Sequence, residues 1–287
     1  MVLGIIIAVC SALFMAGMYI LLKKSYEELD PSVAFFFNAI LAVVIWIPVG
    51  FIFGGSIAEL PRVLPFAIIS ALLAEVFVFY AVSKGNLSVA TTLIATYPVY
   101  TVLFSFLINN EILSIFQVGF ILVTVLGIVL TCIEKGVKIK SFINPITIIP
   151  ILAAVAIGLS DTLSKLIINE TSSFSFIIAL AIVQIPVALI YLRITKHKIG
   201  NIFSEMKIKK VIYSYGVVAS LMNVIGTGLL LISFNFAYAS IASPLTAIYT
   251  PIVLLYAFMF MKEKLSKVNL VGIIFAMIGA IGIIFFS

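Results

Sequence analysis

The sequence predicts an all-α integral membrane protein: ten transmembrane helices laid out as two inverted five-helix repeats. Three observations predict it. Of 287 residues, 64% are hydrophobic and 10% charged, with a mean hydropathy of +1.33, whereas soluble domains carry about 25% charged residues. That much apolar surface cannot be hidden in one small core, so the solvent must be lipid. Second, apolar runs of about 20 residues, the length that crosses ~30 Å of hydrocarbon, recur ten times. Third, the chain repeats itself at an offset of 152: Leu87-Ser88-Val89-Ala90, Tyr97, Glu111-Ile112-Leu113-Ser114 and Gly127 stand in register with Ala239-Ser240-Ile241-Ala242, Tyr249, Glu263-Lys264-Leu265-Ser266 and Gly279. A gapless match of that kind indicates internal duplication.

The first span covers 2–22 and is stopped by Lys23-Lys24 and a polar loop through Asp30-Pro31. The second, 32–53, carries Asn38 and Pro48 and ends at Gly54-Gly55. The third, 65–82, has Glu75 in its middle; the fourth, 88–108, turns at Asn109-Asn110-Glu111 into the fifth, 116–132. A polar hinge near 134–140 divides the chain into repeats 1–134 and 135–287. The sixth span, 146–168, holds Asp161 and Lys165; the seventh, 174–192, has Pro186. A basic loop, 193–210, contains the single histidine, His197. Spans eight to ten follow at 211–234, 240–261 and 270–286.

Five spans per repeat is an odd number, so the second copy starts on the opposite side of the membrane. The halves are then related by a pseudo-two-fold axis in the membrane plane, an arrangement used by transporters with a binding site at the repeat interface. Of the 17 Lys and Arg, Lys165 lies within a span and Arg62 in an even-numbered loop; the remaining 15 lie in odd-numbered loops. The positive-inside rule places those loops in the cytoplasm and both termini outside. Val2 to Ile7 enters the first span with no basic segment before it, which argues against a cleaved secretory signal.

Glu75 sits among Leu72, Leu73, Val76 and Phe77, and a carboxylate at that depth costs about 2.5–3.5 kcal/mol on insertion scales. It must face the bundle interior. It reads either as a proton-coupling site or partner of a substrate amine, or as a neutral acid hydrogen-bonded to a neighbouring helix. Asp161 and Lys165 share one helix face at i, i+4, with Gly158 and Ser164 nearby. A substrate site and a self-neutralising pair, with Lys165 reaching toward the boundary, both fit. Gly216, Ser220, Asn223 and Thr227 make a small, polar stripe on span eight, suited to a cavity wall or to close helix packing.

Pro98, Pro244 and Pro251 each remove a backbone hydrogen bond inside an apolar span, so kinks beside a cavity are expected there. Tyr97 and Tyr249 stand at equivalent positions next to two of these breaks, able to gate a path, contact substrate, or simply pack. Glu111 and Glu263 suggest a structural job such as capping the next helix. Gly119, Gly127, Gly272 and Gly279 read as close helix contacts. Cys10 and Cys132 lie in apolar runs and describe neither a disulfide framework nor a metal site. No H-E-x-x-H, G-x-S-x-G or G-x-x-x-x-G-K-[ST] motif is present.

With Tyr97-Pro98, Glu111-Ile112-Leu113-Ser114 and Gly127 in one half, and Tyr249-Thr250-Pro251, Glu263-Lys264-Leu265-Ser266 and Gly279 in the other, the chain resembles the drug/metabolite transporter superfamily, in its ten-helix EamA-type branch. Lys24 and Lys165 stand where that family often has a lysine late in the first helix of each repeat. Asn110 and Lys262 replace the small residue usual before the glutamate. The resemblance implies a central cavity lined by spans one, three, four, six, eight and nine. It also implies small metabolites, often amino acids, moved with or against protons. Glu75, Tyr97, Asp161, Asn223 and Tyr249 fall on those spans.

The expected function is therefore secondary transport of a small polar metabolite by alternating access, with export of amino acids or related metabolites implied by the resemblance alone. Glu75, Tyr97, Asp161, Lys165, Asn223, Thr227 and Tyr249 are the candidate cavity residues, with Glu75 the candidate for proton coupling. The partners expected are a small-molecule substrate, protons and the bilayer, with no cofactor and no nucleic acid; the oligomeric state is open. An integral-membrane enzyme acting on a lipid is the alternative, but it needs clustered acid–base groups, and His197 in a lysine-rich loop supplies too little. A channel or receptor has no evident use for an inverted duplication.

Overall fold

A computed structural model describes residues 1–26, 28–76, 93–132, 148–261 and 265–287. Every regular element among them is helical. Helices α1 (Val2–Ser25), α2 (Pro31–Ile52), α3 (Leu60–Ser70), α4 (Tyr97–Ile108) and α5 (Ile115–Cys132) precede α6 (Ile148–Glu170) and α7 (Ser173–Ile194). Then come α8 (Ile199–Ile208), α9 (Lys210–Ser233), α10 (Ala239–Ala247), α11 (Tyr249–Met261) and α12 (Lys267–Phe286). Eight described helices, counting 239–256 as one, are long and apolar enough to cross a membrane; α4 is a shorter apolar helix. Residues 77–92, which belong to the expected third and fourth spans, lie outside the described residues.

Two expectations about element bounds are corrected. The third span starts at Leu60 rather than at Pro65, after a 3-10 turn at Ile57–Glu59; Pro61 sits in the first turn, where its missing N–H has no intrahelical partner to lose. It then passes into a π-helical segment, Ala71–Val76. The basic loop at 193–210 is not a loop throughout, because ten of its residues form α8.

Helices α2 and α7 are built alike. Both have 22 residues, and each is N-capped from the residue before it, Asp30 taking Ser32 N–H and Ser172 taking Phe174 N–H. Both end in a left-handed residue, Gly54 (φ 95°) and Lys196 (φ 62°), where N–H groups of Gly55 and His197 return to Gly50 O and Leu192 O. These equivalent positions are 142 apart; downstream the offset is 152, and the difference is the length of α8.

Packing follows contacts between named residues. Helix α2 runs antiparallel to α7, with Ser32 Oγ 2.8 Å from Thr195 Oγ1 at one end and Ser56 N–H donating to Ser175 Oγ at 2.8 Å at the other. Helix α5 runs antiparallel to α12, and their backbones nearly touch: a Cβ on Gly127 would fall 2.2 Å from Ala276 N, and one on Gly279 2.5 Å from Thr124 N. Gly272 is equally tight against Thr131. Gly119 is not a contact glycine; a Cβ there meets nothing within 4 Å. Helix α1 is antiparallel to α9, Ser11 Oγ donating to Gly226 O at 2.7 Å while Gly4 lies against Ala237. Outward faces stay apolar, with Leu103, Phe106, Leu122 and Ile190 at least half exposed, as a lipid-facing surface requires.

Both termini lie at one end of the bundle. Gly4 packs on Ala237, Gln117 Nε2 reaches Ser287 Oγ at 3.5 Å, and Glu111 joins these two corners through Ala239. The opposite end carries the charged surface. There His197 Nε2 stands 3.6 Å from Asp30, and Lys209 Nζ 2.8 Å from Glu28. The hydrogen bond to Glu28 raises the Lys209 ammonium above the usual lysine range, so this tie is present at neutral pH and is lost only as pH climbs beyond that range.

Candidate functional site

Two helix breaks set the site. Helix α4 begins at Tyr97 after a turn at 95–96, and α11 begins at Tyr249 after a turn at 248; Thr96 and Ile248 differ by the same offset of 152. A proline follows each break, Pro98 at the second and Pro251 at the third helical position, where the missing N–H is tolerated. The carbonyl of Ala247, which Pro251 leaves without its helical donor, receives Thr250 Oγ1 at 3.1 Å. Thr96 Oγ1 likewise donates to Leu93 O at 2.7 Å. Pro244 lies inside α10, which continues through it.

The breaks bring two repeat-related tyrosines into the interior, 5% and 9% exposed. Tyr97 OH donates to Ser243 O at 3.2 Å. Tyr249 stacks on Tyr19 of α1 with ring centroids 4.6 Å apart and an interplanar angle of 11°, the two hydroxyls 3.3 Å from each other.

Asp161, buried on α6, completes this group. Its Oδ2 accepts Ser243 Oγ at 2.6 Å, and the Thr101 hydroxyl of α4 lies alongside. The approach is possible because Gly158, one turn earlier, has no side chain; a Cβ there would meet Tyr100 and the Thr101 backbone within 2.7 Å. Ser160 Oγ donates to Ser70 Oγ at 2.9 Å, tying α6 to α3 where α3 becomes π-helical. The backbone of Glu75 is in that π segment, a form frequent at functional sites; its side chain lies outside the described part of the structure.

Lys165 does not pair with Asp161. Its ammonium, on a buried side chain, donates to Phe234 O in the turn between α9 and α10, close enough to Glu111 to feel its charge. Around it the same end is knitted together: Asn109 Nδ2 donates to Thr162 O at 3.1 Å, and Asn235 Nδ2 to Ser173 Oγ at 2.6 Å. Glu111 caps a helix, but not the next one. Asn110 turns left-handed (φ 53°), and the carboxylate crosses to the N-terminus of α10, accepting from Ala239 N, Ser240 N and Ser240 Oγ. Glu263 lies outside the described residues.

Asn223 belongs to a second polar group. Its amide donates to Asn38 Oδ1 at 2.9 Å, and Asn38 donates to Gln184 Oε1 at 3.3 Å, a ladder across α9, α2 and α7. Asn38, Ser220 and Asn223 line a small cavity with Met18, Leu22, Ala34 and Ala219. Thr227 is half-buried one turn along the same stripe.

Comparison with known proteins now bears on this geometry. The model of the EamA-like transporter family matches residues 2–133 and, a second time, residues 145–285. The chain belongs to this family. An uncharacterized protein from Methanocaldococcus jannaschii is 31% identical over 134 residues, which are 47% of this chain and 92% of that protein. A crystal structure of another protein superposes with a TM-score of 0.73 at 14% identity, covering 98% of this chain and 96% of the other; at that identity the likeness speaks for the fold alone. An EamA-like chain with eight described membrane-crossing helices is a multi-pass membrane protein of a transporter family.

In this EamA-like chain, then, Tyr97 and Asp161 lie on packed helices α4 and α6 and share Ser243 of α10, Tyr249 stacks on Tyr19 of α1, Lys165 is one turn outward from Asp161, and Asn223 with Thr227 belongs to a separate wall. Sequence reasoning overlooked Tyr19 and Gln184. Neither has an offset partner or a motif, and only the fold shows that Tyr19 faces Tyr249. The chemistry available is hydrogen bonding and charge: one carboxylate held by a hydroxyl, one ammonium held by a backbone carbonyl, and three phenols, of which Tyr97 meets a carbonyl and Tyr19 and Tyr249 meet each other.

Proposed function

We propose that this protein is a secondary active transporter, an exporter of small polar metabolites such as amino acids, in which two inverted five-helix halves, 1–134 and 135–287, rock about a site at Asp161. The packing supports the inversion. Exchanging helices for their counterparts preserves the main packing: α1 lies on α9 as α6 lies on α3, and α1 lies on α10–α11 as α6 lies on α4. Two of the self-paired elements, α2 with α7 and α5 with α12, are antiparallel, as inversion demands. The double match of one family model, and a relative about half this chain's length, fit the same duplication.

One observation carries the substrate assignment. Asp161 and Lys165 offer opposite charges one helical turn, about 6 Å, apart, and each is held by a neutral group, Ser243 or Phe234 O, rather than by the other. A zwitterion supplies an ammonium for Asp161 and a carboxylate for Lys165, each a stronger partner than the neutral one it replaces. Tyr97 and Tyr249 border this place, and Asn223 and Thr227 line the wall toward the basic end. Glu75, on the π segment beside Ser70, is the proton-coupling group. The charge asymmetry of the loops puts the basic end in the cytoplasm and both termini outside.

A panel of amino acids and related metabolites, scored by thermal stabilisation of the purified protein, tests this reading. A true ligand at 100 times its dissociation constant stabilises by about 2.7 kcal/mol. Asp161→Asn removes that shift while keeping the unliganded melting temperature. A panel without a single shift, or an undiminished shift in the variant, contradicts the assignment.

A further inference from the structure

Helix α8 has no place in the five-helix plan. It supplies the ten residues by which the repeat offset grows between α7 and α9, and it joins two membrane-crossing helices at the basic end of the bundle. Its chain ends are therefore held at one membrane surface. Ile199, Ile202, Phe203 and Met206 follow i, i+3, i+4, i+7 spacing and form one apolar face. Only Ile202 is spent on the protein, where it is fully buried; Ile199, Phe203 and Met206 remain 36–47% exposed. Glu205, beside Ile202 on the inner side, accepts from Tyr213 OH at 3.0 Å and fixes how the helix rolls.

Lysines bracket this face. Lys196 and Lys198 precede the helix, Lys207 lies in its last turn, and Lys209 and Lys210 follow; all five are exposed. Lys209 is engaged by Glu28 and His197 by Asp30. Among the described residues, Lys196, Lys198, Lys207 and Lys210 make no ion pair. Four unneutralised ammonium groups around an exposed apolar stripe, at the level where hydrocarbon meets headgroups, match one occupant: the anionic leaflet itself.

We propose that α8 is an in-plane helix seated in the leaflet on the basic side, with Ile199, Phe203 and Met206 in the acyl boundary and Lys196, Lys198, Lys207 and Lys210 holding anionic phospholipid headgroups. The shared chemistry is a phosphate group with a negative charge, and the apolar stripe selects the lipid over free phosphate. The site is separate from the Asp161 region and does not depend on which substrate is carried.

The full-length protein in nanodiscs of phosphatidylcholine with about 30% phosphatidylglycerol, released and weighed by native mass spectrometry, gives the retained-lipid ratio. In the wild type the retained ratio of phosphatidylglycerol to phosphatidylcholine is at least tenfold above the bulk ratio. The variant K196Q/K198Q/K207Q/K210Q loses that preference, at about fivefold per lysine, the equivalent of ~1 kcal/mol each near an anionic surface. Should that variant fail to fold, the pair K198Q/K210Q shows a partial loss, and Phe203→Ser weakens retention of both lipids alike. Inorganic phosphate at 10 mM leaves the wild-type ratio unchanged. Equal retention of the two lipids, a preference that survives the lysine variants, or full competition by phosphate overturns the proposal.

Discussion

Glu111 seals the N-terminus of a helix in the other half of the chain: its carboxylate takes Ala239 N–H at 3.0 Å and Ser240 N–H at 2.9 Å, and the Ser240 hydroxyl as well. The first turn of any helix has unpaired N–H groups, and α10 is short and buried, so water cannot satisfy them. Glu111→Gln leaves one oxygen to do the work of two and removes the charge that favours a helix N-terminus. The expected loss is about 1.5–3 kcal/mol, read as a lower melting temperature in detergent. Ser240→Ala, which keeps both backbone donors, costs about 1 kcal/mol or less.

Helices α5 and α12 touch through glycine. Gly127→Val and Gly279→Val drive a side chain into the opposing backbone, where neither partner can give way. Each variant destabilises by ~1–3 kcal/mol or more, while ligand affinity of the surviving folded protein is unchanged because this seam lies away from Asp161. Gly119→Ala, with open space around it, is neutral to stabilising. A melting curve for each of the three separates contact glycine from spacer.

Tyr19 and Tyr249 join α1 to α11 by a stack and a hydroxyl contact. Tyr249→Phe keeps the stack and loses only the hydroxyl contact; Tyr249→Ala loses the stack as well, worth about 0.5–1.5 kcal/mol beyond its buried area. Both lower transport, and the alanine variant also lowers the melting temperature. A Tyr19→Phe, Tyr249→Phe double variant that is no worse than either single one identifies the hydroxyls as partners of each other.

The membrane class, the repeat and most helix positions were legible in the sequence because lipid enforces a simple rule: every backbone group must be satisfied within a helix about 20 residues long. The offset of 152 exposed Tyr97 with Tyr249, and chemistry alone exposed Asp161. What stayed hidden depends on which helix faces which. Glu111 was readable as a cap, but its target, 128 residues away, was not. Asp161 and Lys165 at i, i+4 looked equally like a mutual pair, and only the packing of Ser243 and Phe234 beside them shows otherwise. Helix α8 was masked by its lysines, since in a short charged stretch an amphipathic turn resembles a loop.

Transport by rocking halves requires the end with both termini to open, and Glu111 and Ser240, one in each half, must then part. A disulfide between cysteines at these two positions, with Cys10 and Cys132 replaced by serine, holds that end shut. In proteoliposomes loaded with a ligand found by thermal stabilisation, the oxidised E111C/S240C protein is expected to transport none, and reductant restores it to the level of the uncross-linked variant. Undiminished transport through the oxidised, fully cross-linked protein would contradict alternating access about Asp161.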